Sequence, residues 1–95
     1  MVKLTWTDQA IDDLGKIGDY IAENSERYAK LTVKKLYERT EILKQLPLAV
    51  RVVPEKNEEN VSELVEGSYR IIYQIFPDNL VYVLTVYHSS RELKL

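Results

Sequence analysis

Few side chains in this 95-residue sequence are suited to chemistry, and the candidates are mostly arginines and one histidine. His88 is the sole His. An imidazole of ordinary pKa, about 6.5, can take or give a proton near neutrality. A lone His at a strand end can also be a surface or capping residue. Arg70 carries a planar guanidinium that can grip a phosphate bidentately. It can equally pair with Glu63 or Glu66 across a hairpin. Arg51 and Arg91 could join Arg70 in a basic patch, although Arg51 also suits protection of an edge strand. Tyr87 stands next to His88, but on a regular strand alternation sends the two side chains to opposite faces. With no Cys there is no thiolate nucleophile and no Cys-ligated zinc. One His gives few strong ligands, so neither metal nor cofactor is expected.

These residues need elements to position them, and periodicity divides the chain into a helical first half and a strand-rich second half. Residues 2–6 (VKLTW) alternate, with Val2, Leu4 and Trp6 on one side. Thr7 suits a helix N-cap, and Trp6 and Ile11 stand where a hydrophobic staple would form. Ala10, Leu14, Ile17 and Ile21 follow at helical spacing. Gly15 and Gly18 weaken this helix, and their use is close approach of a neighbouring backbone. Ser25 caps a second helix running to about Leu46, where Pro47 ends it. Its inner stripe is Ala29, Val33, Leu36, Thr40 and Leu43, broadened by Ile42 and Leu46. The short break between the helices requires an antiparallel helical hairpin.

Residues 49–53 (AVRVV), 61–66, 69–76 and 80–87 read as strands. Gly67-Ser68 fits a two-residue II′ turn, and Pro77-Asp78-Asn79 turns the next strand. The last two strands are richest in β-branched and aromatic residues and are expected at the centre. The order β-α-α-β-β-β-β argues for an α+β fold, an antiparallel sheet with a helical hairpin on one face, in one domain spanning 1–95. The seven tyrosines read first as core and sheet packing.

Thirteen Lys and Arg against 15 Asp and Glu give a net charge of −2, without the uniformly basic field of a generic nucleic-acid binder. The total hides a separation. Residues 7–24 hold five acids and one Lys, net −4, and residues 26–46 hold six bases and three acids, net +3. Either the two helices complement each other, or the basic one meets an acidic partner. The longest apolar stretch is far short of a membrane span and no secretory signal is visible, so a cytoplasmic protein is expected.

In WTDQAIDDLGKIGDYIAEN, LPLAVRVVPE, ELVEGSYRIIYQI and VLTVYHSSREL, in that order, the sequence resembles the RelE/ParE superfamily of type II toxin–antitoxin toxins, nearer the ParE branch. The resemblance implies a growth inhibitor of a plasmid-stabilisation type of module. A cognate antitoxin would lay a helix in the groove beside the helical hairpin and add a strand to the sheet. A homodimer is left open, since no surface in the sequence is diagnostic of one. ParE-like members poison DNA gyrase and have no known catalytic site of their own; RelE-like members cut mRNA on the ribosome.

Cleaving RNA through its 2′-hydroxyl requires a base, a cation for the phosphate and an acid for the leaving oxygen. Where RelE carries two lysines, this sequence has Val61-Ser62-Glu63-Leu64, with no Lys. RelE's arginine near the final strand falls around Ser89, and its C-terminal tyrosine has no counterpart. A YoeB-like nuclease pattern is half present: Arg70 and His88 match, its following Tyr is Ser89, and its general-base Glu is not at the place expected near Arg51, although Glu55 is close. The main reading is therefore a gyrase-binding toxin, with Arg51 and Arg91 as target-binding candidates. The alternatives are a ribosome-dependent mRNA endonuclease using Arg70 and His88, and an inactive module that only binds antitoxin. The pI of about 5.4 favours the first and last.

Overall fold

A computed structural model describes residues 2–45 and 61–90. The expected strand at 49–53 and the site candidates Arg51, Glu55 and Arg91 lie outside the described residues. The chain order is β1 (Lys3–Trp6), α1 (Asp8–Ala22), α2 (Glu26–Arg39), a 3-10 segment (Thr40–Lys44), β2 (Val61–Glu66), β3 (Tyr69–Phe76) and β4 (Leu80–His88).

Both helix starts follow from their caps. Thr7 Oγ1 accepts the Ala10 N–H at 3.1 Å, and Ser25 Oγ accepts the Tyr28 N–H at 3.1 Å. Thr7 also donates its hydroxyl to the carbonyls of Val83 (2.9 Å) and Leu84 (3.1 Å), so one residue starts α1 and ties it to β4. The second helix departs from expectation. Its α-helical part stops at Arg39 and tightens into the 3-10 segment. Buried Thr40 donates its hydroxyl to the Tyr37 carbonyl at 2.7 Å, a local bond that competes with regular helix. At the expected Trp6–Ile11 staple, less than half of Ile11 is covered: it stays 56% exposed, and the Trp6 ring packs against Tyr37 with centroids 5.5 Å apart.

The sheet order is β1-β4-β3-β2, which puts the two β-branched, aromatic strands in the middle. β2–β3 and β3–β4 are antiparallel, but β1 runs parallel to β4, so the sheet is mixed and the expectation of a wholly antiparallel sheet is corrected. Side-chain alternation is the same in both directions, so it carries no information on strand direction. The parallel register is held by Lys3 N–H to Asn79 O (2.9 Å) and Thr7 N–H to Val83 O (3.0 Å). At the turns, φ is positive at Gly67 (61°) but not at Ser68, as a II′ turn requires. Asp78 and Asn79 both adopt positive φ, which their short polar side chains tolerate.

The helices cover one sheet face. Ala10 and Leu36 meet Ile71, Val83 and Val86, while Val2, Leu43, Tyr73 and Val81 extend the core toward the other end. Leu4 and Trp6 pack against it from β1, as their alternation requires. Three tyrosines (Tyr20, Tyr28 and Tyr37) are more than half exposed, against the expectation that all seven serve packing.

The two helical glycines differ. A Cβ on Gly18 would stand 3.0 Å from Val33 Cγ2, so the close neighbour is a side chain on α2, whereas a Cβ on Gly15 would meet nothing within 4 Å. Gly15→Ala should therefore raise unfolding free energy by up to about 1 kcal/mol, the helix-propensity gain. Gly18→Ala should lose most of that gain to crowding. Urea denaturation measures both, and a Gly18→Ala gain as large as that of Gly15→Ala would refute the close-approach role.

Candidate functional site

The last two strands carry both candidate catalytic residues, and their register decides whether the two can act together. From the hairpin inward, Leu80 to Val83 pair regularly with Phe76 to Tyr73. The register then shifts, because Tyr73 pairs with Val83 while Ile72 pairs with Thr85. Leu84 is the extra residue of a β-bulge. Past it, Ile71 faces Val86, Arg70 faces Tyr87 and Tyr69 faces His88. Directly opposed residues share a face. His88 therefore lies on the helix side with Tyr69, Ile71 and Val86, and Arg70 lies on the other side with Tyr87. The bulge is decisive: an unshifted β4 would carry His88 on the same face as Arg70.

Arg70 is engaged on its face. Its Nη1 lies 2.7 Å from Glu63 Oε2, diagonally across β2–β3, with both side chains partly exposed. Such a pair contributes about 0–1 kcal/mol to stability. It nonetheless places a carboxylate where a phosphate would have to approach the guanidinium.

His88 sits in a different setting. Its ring meets Tyr69 edge to face at 5.2 Å. Its Nδ1 accepts the Ser90 N–H at 3.1 Å, and the Ser90 hydroxyl lies 2.7 Å from the same atom. Accepting that amide requires an unprotonated Nδ1, so the neutral ring carries its hydrogen on Nε2. The groove beside it, about 330 Å³, has α1 as its other wall through Lys16, Ile17 and Tyr20. No described arginine lines this groove.

What organises this corner was not foreseen. Asp13 reaches from α1 to β4, where its Oδ2 accepts both the Thr85 hydroxyl and the Val86 N–H, the latter at 3.2 Å. Among the described residues β1 pairs only as far as Val83, so no described strand meets the Val86 amide on that side, and the carboxylate takes the place of one. The sequence held a signal. Asp13 is three residues after Ala10 and four before Ile17, which sets an acid beside the inward stripe of α1.

A second cleft, about 490 Å³, opens between α2 and the β2–β3 turn. Tyr28, Leu31 and Lys35 line its helix wall, and Leu36 and Tyr69 also border it. Among the described residues no group of three or more His, Asp or Glu could hold a metal, and no helix is long and apolar enough to cross a membrane.

Against known families, residues 4–93 match the ParE toxin of type II toxin–antitoxin system, parDE. Curated protein sequences give no significant match. Among solved structures, a chain of the chromosomal ParDE toxin–antitoxin system from P. aeruginosa superposes with TM-score 0.75 at 21% identity, covering 93% of this chain and 96% of that one. A chain of the RelBE2 toxin–antitoxin complex from Mycobacterium tuberculosis gives 0.55 at 22%, covering 92% and 96%. One of the intact E. coli RelBE complex gives 0.54 at 17%, covering 96% and 100%. At these identities the superpositions establish a shared fold.

Proposed function

This chain belongs to the ParE toxin family of type II toxin–antitoxin systems, and from that premise we propose that it arrests growth by binding DNA gyrase rather than by cutting RNA. The observation that carries the choice is the register of β3 and β4. Arg70 and His88 lie on opposite faces, and Arg70 is paired with Glu63. A general acid–base group and a phosphate clamp must reach the same scissile group. The acidic balance of the chain points the same way, since RNA affinity draws on Lys and Arg. A protein target needs no catalytic pair, and Arg51 and Arg91 remain its candidate contacts. We assign the toxin to the cytoplasm, to a module that stabilises a plasmid.

The partner that restrains it is the cognate antitoxin. An amphipathic antitoxin helix fits the cleft beside α2, with apolar side chains on Leu31 and Tyr28 and acids toward Lys35. An extended antitoxin segment can pair along β4 past Val86, beyond the groups held by Thr7 and Asp13, where no described strand covers the edge.

One induction experiment tests both halves. Expression in a bacterial host should arrest growth, induce the SOS response and trap gyrase on DNA. Arg70→Ala and His88→Ala should arrest growth as the parent does. The double variant L31D/K35E should also arrest growth but escape rescue by a co-expressed antitoxin. Codon-dependent mRNA cuts, abolished by either alanine substitution, would establish the endonuclease reading instead. Absence of any arrest would leave a module that only binds antitoxin.

A further inference from the structure

The outer edge of β4 is covered in stages, and the cover ends before the strand does. β1 pairs with Leu80 to Val83. The Thr7 hydroxyl takes the Leu84 carbonyl, and Asp13 takes the Val86 N–H. On the β3 side, the Ser89 N–H bonds to the Ser68 carbonyl at 2.7 Å. Backbone groups alternate in direction along a strand. The Val86 carbonyl and the N–H and carbonyl of His88 therefore face the outer edge, as the Val86 amide does. Among the described residues no strand meets these three groups. They are the main-chain partners for one more strand.

The groove beside this edge selects for a particular side chain. Directly opposed residues share a face, so a residue paired with His88 sends its side chain to the helix side. There the groove of about 330 Å³ runs between His88 and Tyr69 on the sheet and Ile17 and Tyr20 on α1. Ile17 and the tyrosine rings suit an apolar stem. At the His88 end the groove offers a donor. His88 Nδ1 accepts the Ser90 N–H, which leaves Nε2–H as the donor of the ring. Asp13 also lines the groove, but its Oδ2 is held by the Thr85 hydroxyl and the Val86 N–H. Lys16 pairs with Asp12 at 3.2 Å within α1, so recognition falls to His88 and not to that lysine.

We propose, resting on the strand addition to β4 assigned above, that this groove is a side-chain pocket for a glutamate of the extended antitoxin segment. The glutamate bonds its main chain to the N–H and carbonyl of His88. Its methylenes lie on Ile17 and the Tyr69 ring, and its carboxylate accepts the Nε2–H of His88. A hydrogen bond to an ionised acceptor is about twice as strong as one between neutral groups, which sets Glu above Gln in this pocket. His88 then determines which extended segments the toxin accepts. That role needs no proton transfer to a substrate and no contact with Arg70, which lies on the other face.

The chain has one His, so a single imidazole signal in its NMR spectrum reports on the pocket. The probes are the capped peptides acetyl-Thr-Val-Glu-Val-Thr-amide and its Gln counterpart, titrated to millimolar concentration against the folded toxin. Both should shift the His88 amide signal, and the Glu peptide should bind about fivefold more tightly. The Glu peptide should also raise the His88 pKa by about one unit, because a carboxylate at Nε2 favours the charged ring. The Gln peptide should leave that pKa unchanged. Asp13, Lys16 and Tyr20 from α1 and Tyr69 from β3 line the same groove and are common to both titrations. His88→Phe keeps an aromatic ring without the donor and should bind the two peptides equally. Lys16→Ala should keep the preference for Glu. Equal binding of both peptides to the wild-type chain, with the His88 amide shifted by each, would overturn the glutamate pocket and leave strand addition standing. A preference that survives His88→Phe, or is lost in Lys16→Ala, would overturn the pocket too. If neither peptide shifts the His88 amide, strand addition at this edge falls and the pocket with it.

Discussion

Replacing Ile71 by Ala should lower the unfolding free energy by about 2–5 kcal/mol, the range for deleting a fully buried aliphatic side chain. Ile71 lies at the centre of the fold with no exposed surface. It faces Val86 on one neighbouring strand and Leu64 on the other, and belongs to the cluster with Ala10, Leu36 and Val83. Little there can collapse into the vacated space, because two strands flank it and two helices cover it. A small protein has about 5–15 kcal/mol in all, so the variant should be partly unfolded at growth temperature. Ile72 is the internal control. It points to the open face and is only half-buried, so Ile72→Ala should cost clearly less. Urea denaturation of both variants measures the difference. Equal losses would mean that the open face is as tightly packed as the core.

Asp13→Ala should cost about 1–3 kcal/mol, the penalty for leaving partly buried donors without an acceptor. The substitution deprives the Thr85 hydroxyl and the Val86 amide of their shared partner. Its effect should also be local in a recognisable way. The bonds of Asp13 and Thr7 to residues 83–86 surround Leu84, the bulge residue, so they hold the register in which His88 faces the helices. In Asp13→Ala the Val86 amide should exchange its hydrogen much faster than the Ile71 amide. Asp13→Asn keeps one acceptor oxygen and should retain a good part of the stability. A double-mutant cycle with Thr85→Ala should show coupling between the two positions. Additive losses, with unchanged exchange at Val86, would remove the tether from the account.

Much of the architecture can be read from residues in order. Thr7 and Ser25 are helix caps by type and place, and the structure uses both hydroxyls so. Val2, Leu4 and Trp6 alternate toward the core, and Ala29, Leu36, Thr40 and Leu43 are the buried positions of the second helical stretch. These signals are local: each depends on a few neighbours along the chain and on burying apolar surface. The spacing of the segments was also enough for the family. A carboxylate partner for Arg70 across the hairpin was legible with Glu63 and Glu66 both open, and the structure pairs it with Glu63.

What tertiary structure alone decided is direction and register. The sequence determined that 2–6 is a strand with one inward face, but its parallel run beside β4 depends on bonds between residues some 76 positions apart. It determined that Arg70 and His88 lie on neighbouring strands of one hairpin, and the pattern left both nuclease and non-nuclease readings open. Their relative faces depend on one extra residue, Leu84. Such a bulge has no composition signature in LVYVLTVYH. It persists because Thr7 and Asp13, far away in sequence, satisfy the backbone and hydroxyl groups around it. A period of two makes one residue's shift reverse every side chain beyond it. That reversal carries His88 to the helix side of the sheet and leaves Arg70 with Glu63 on the other.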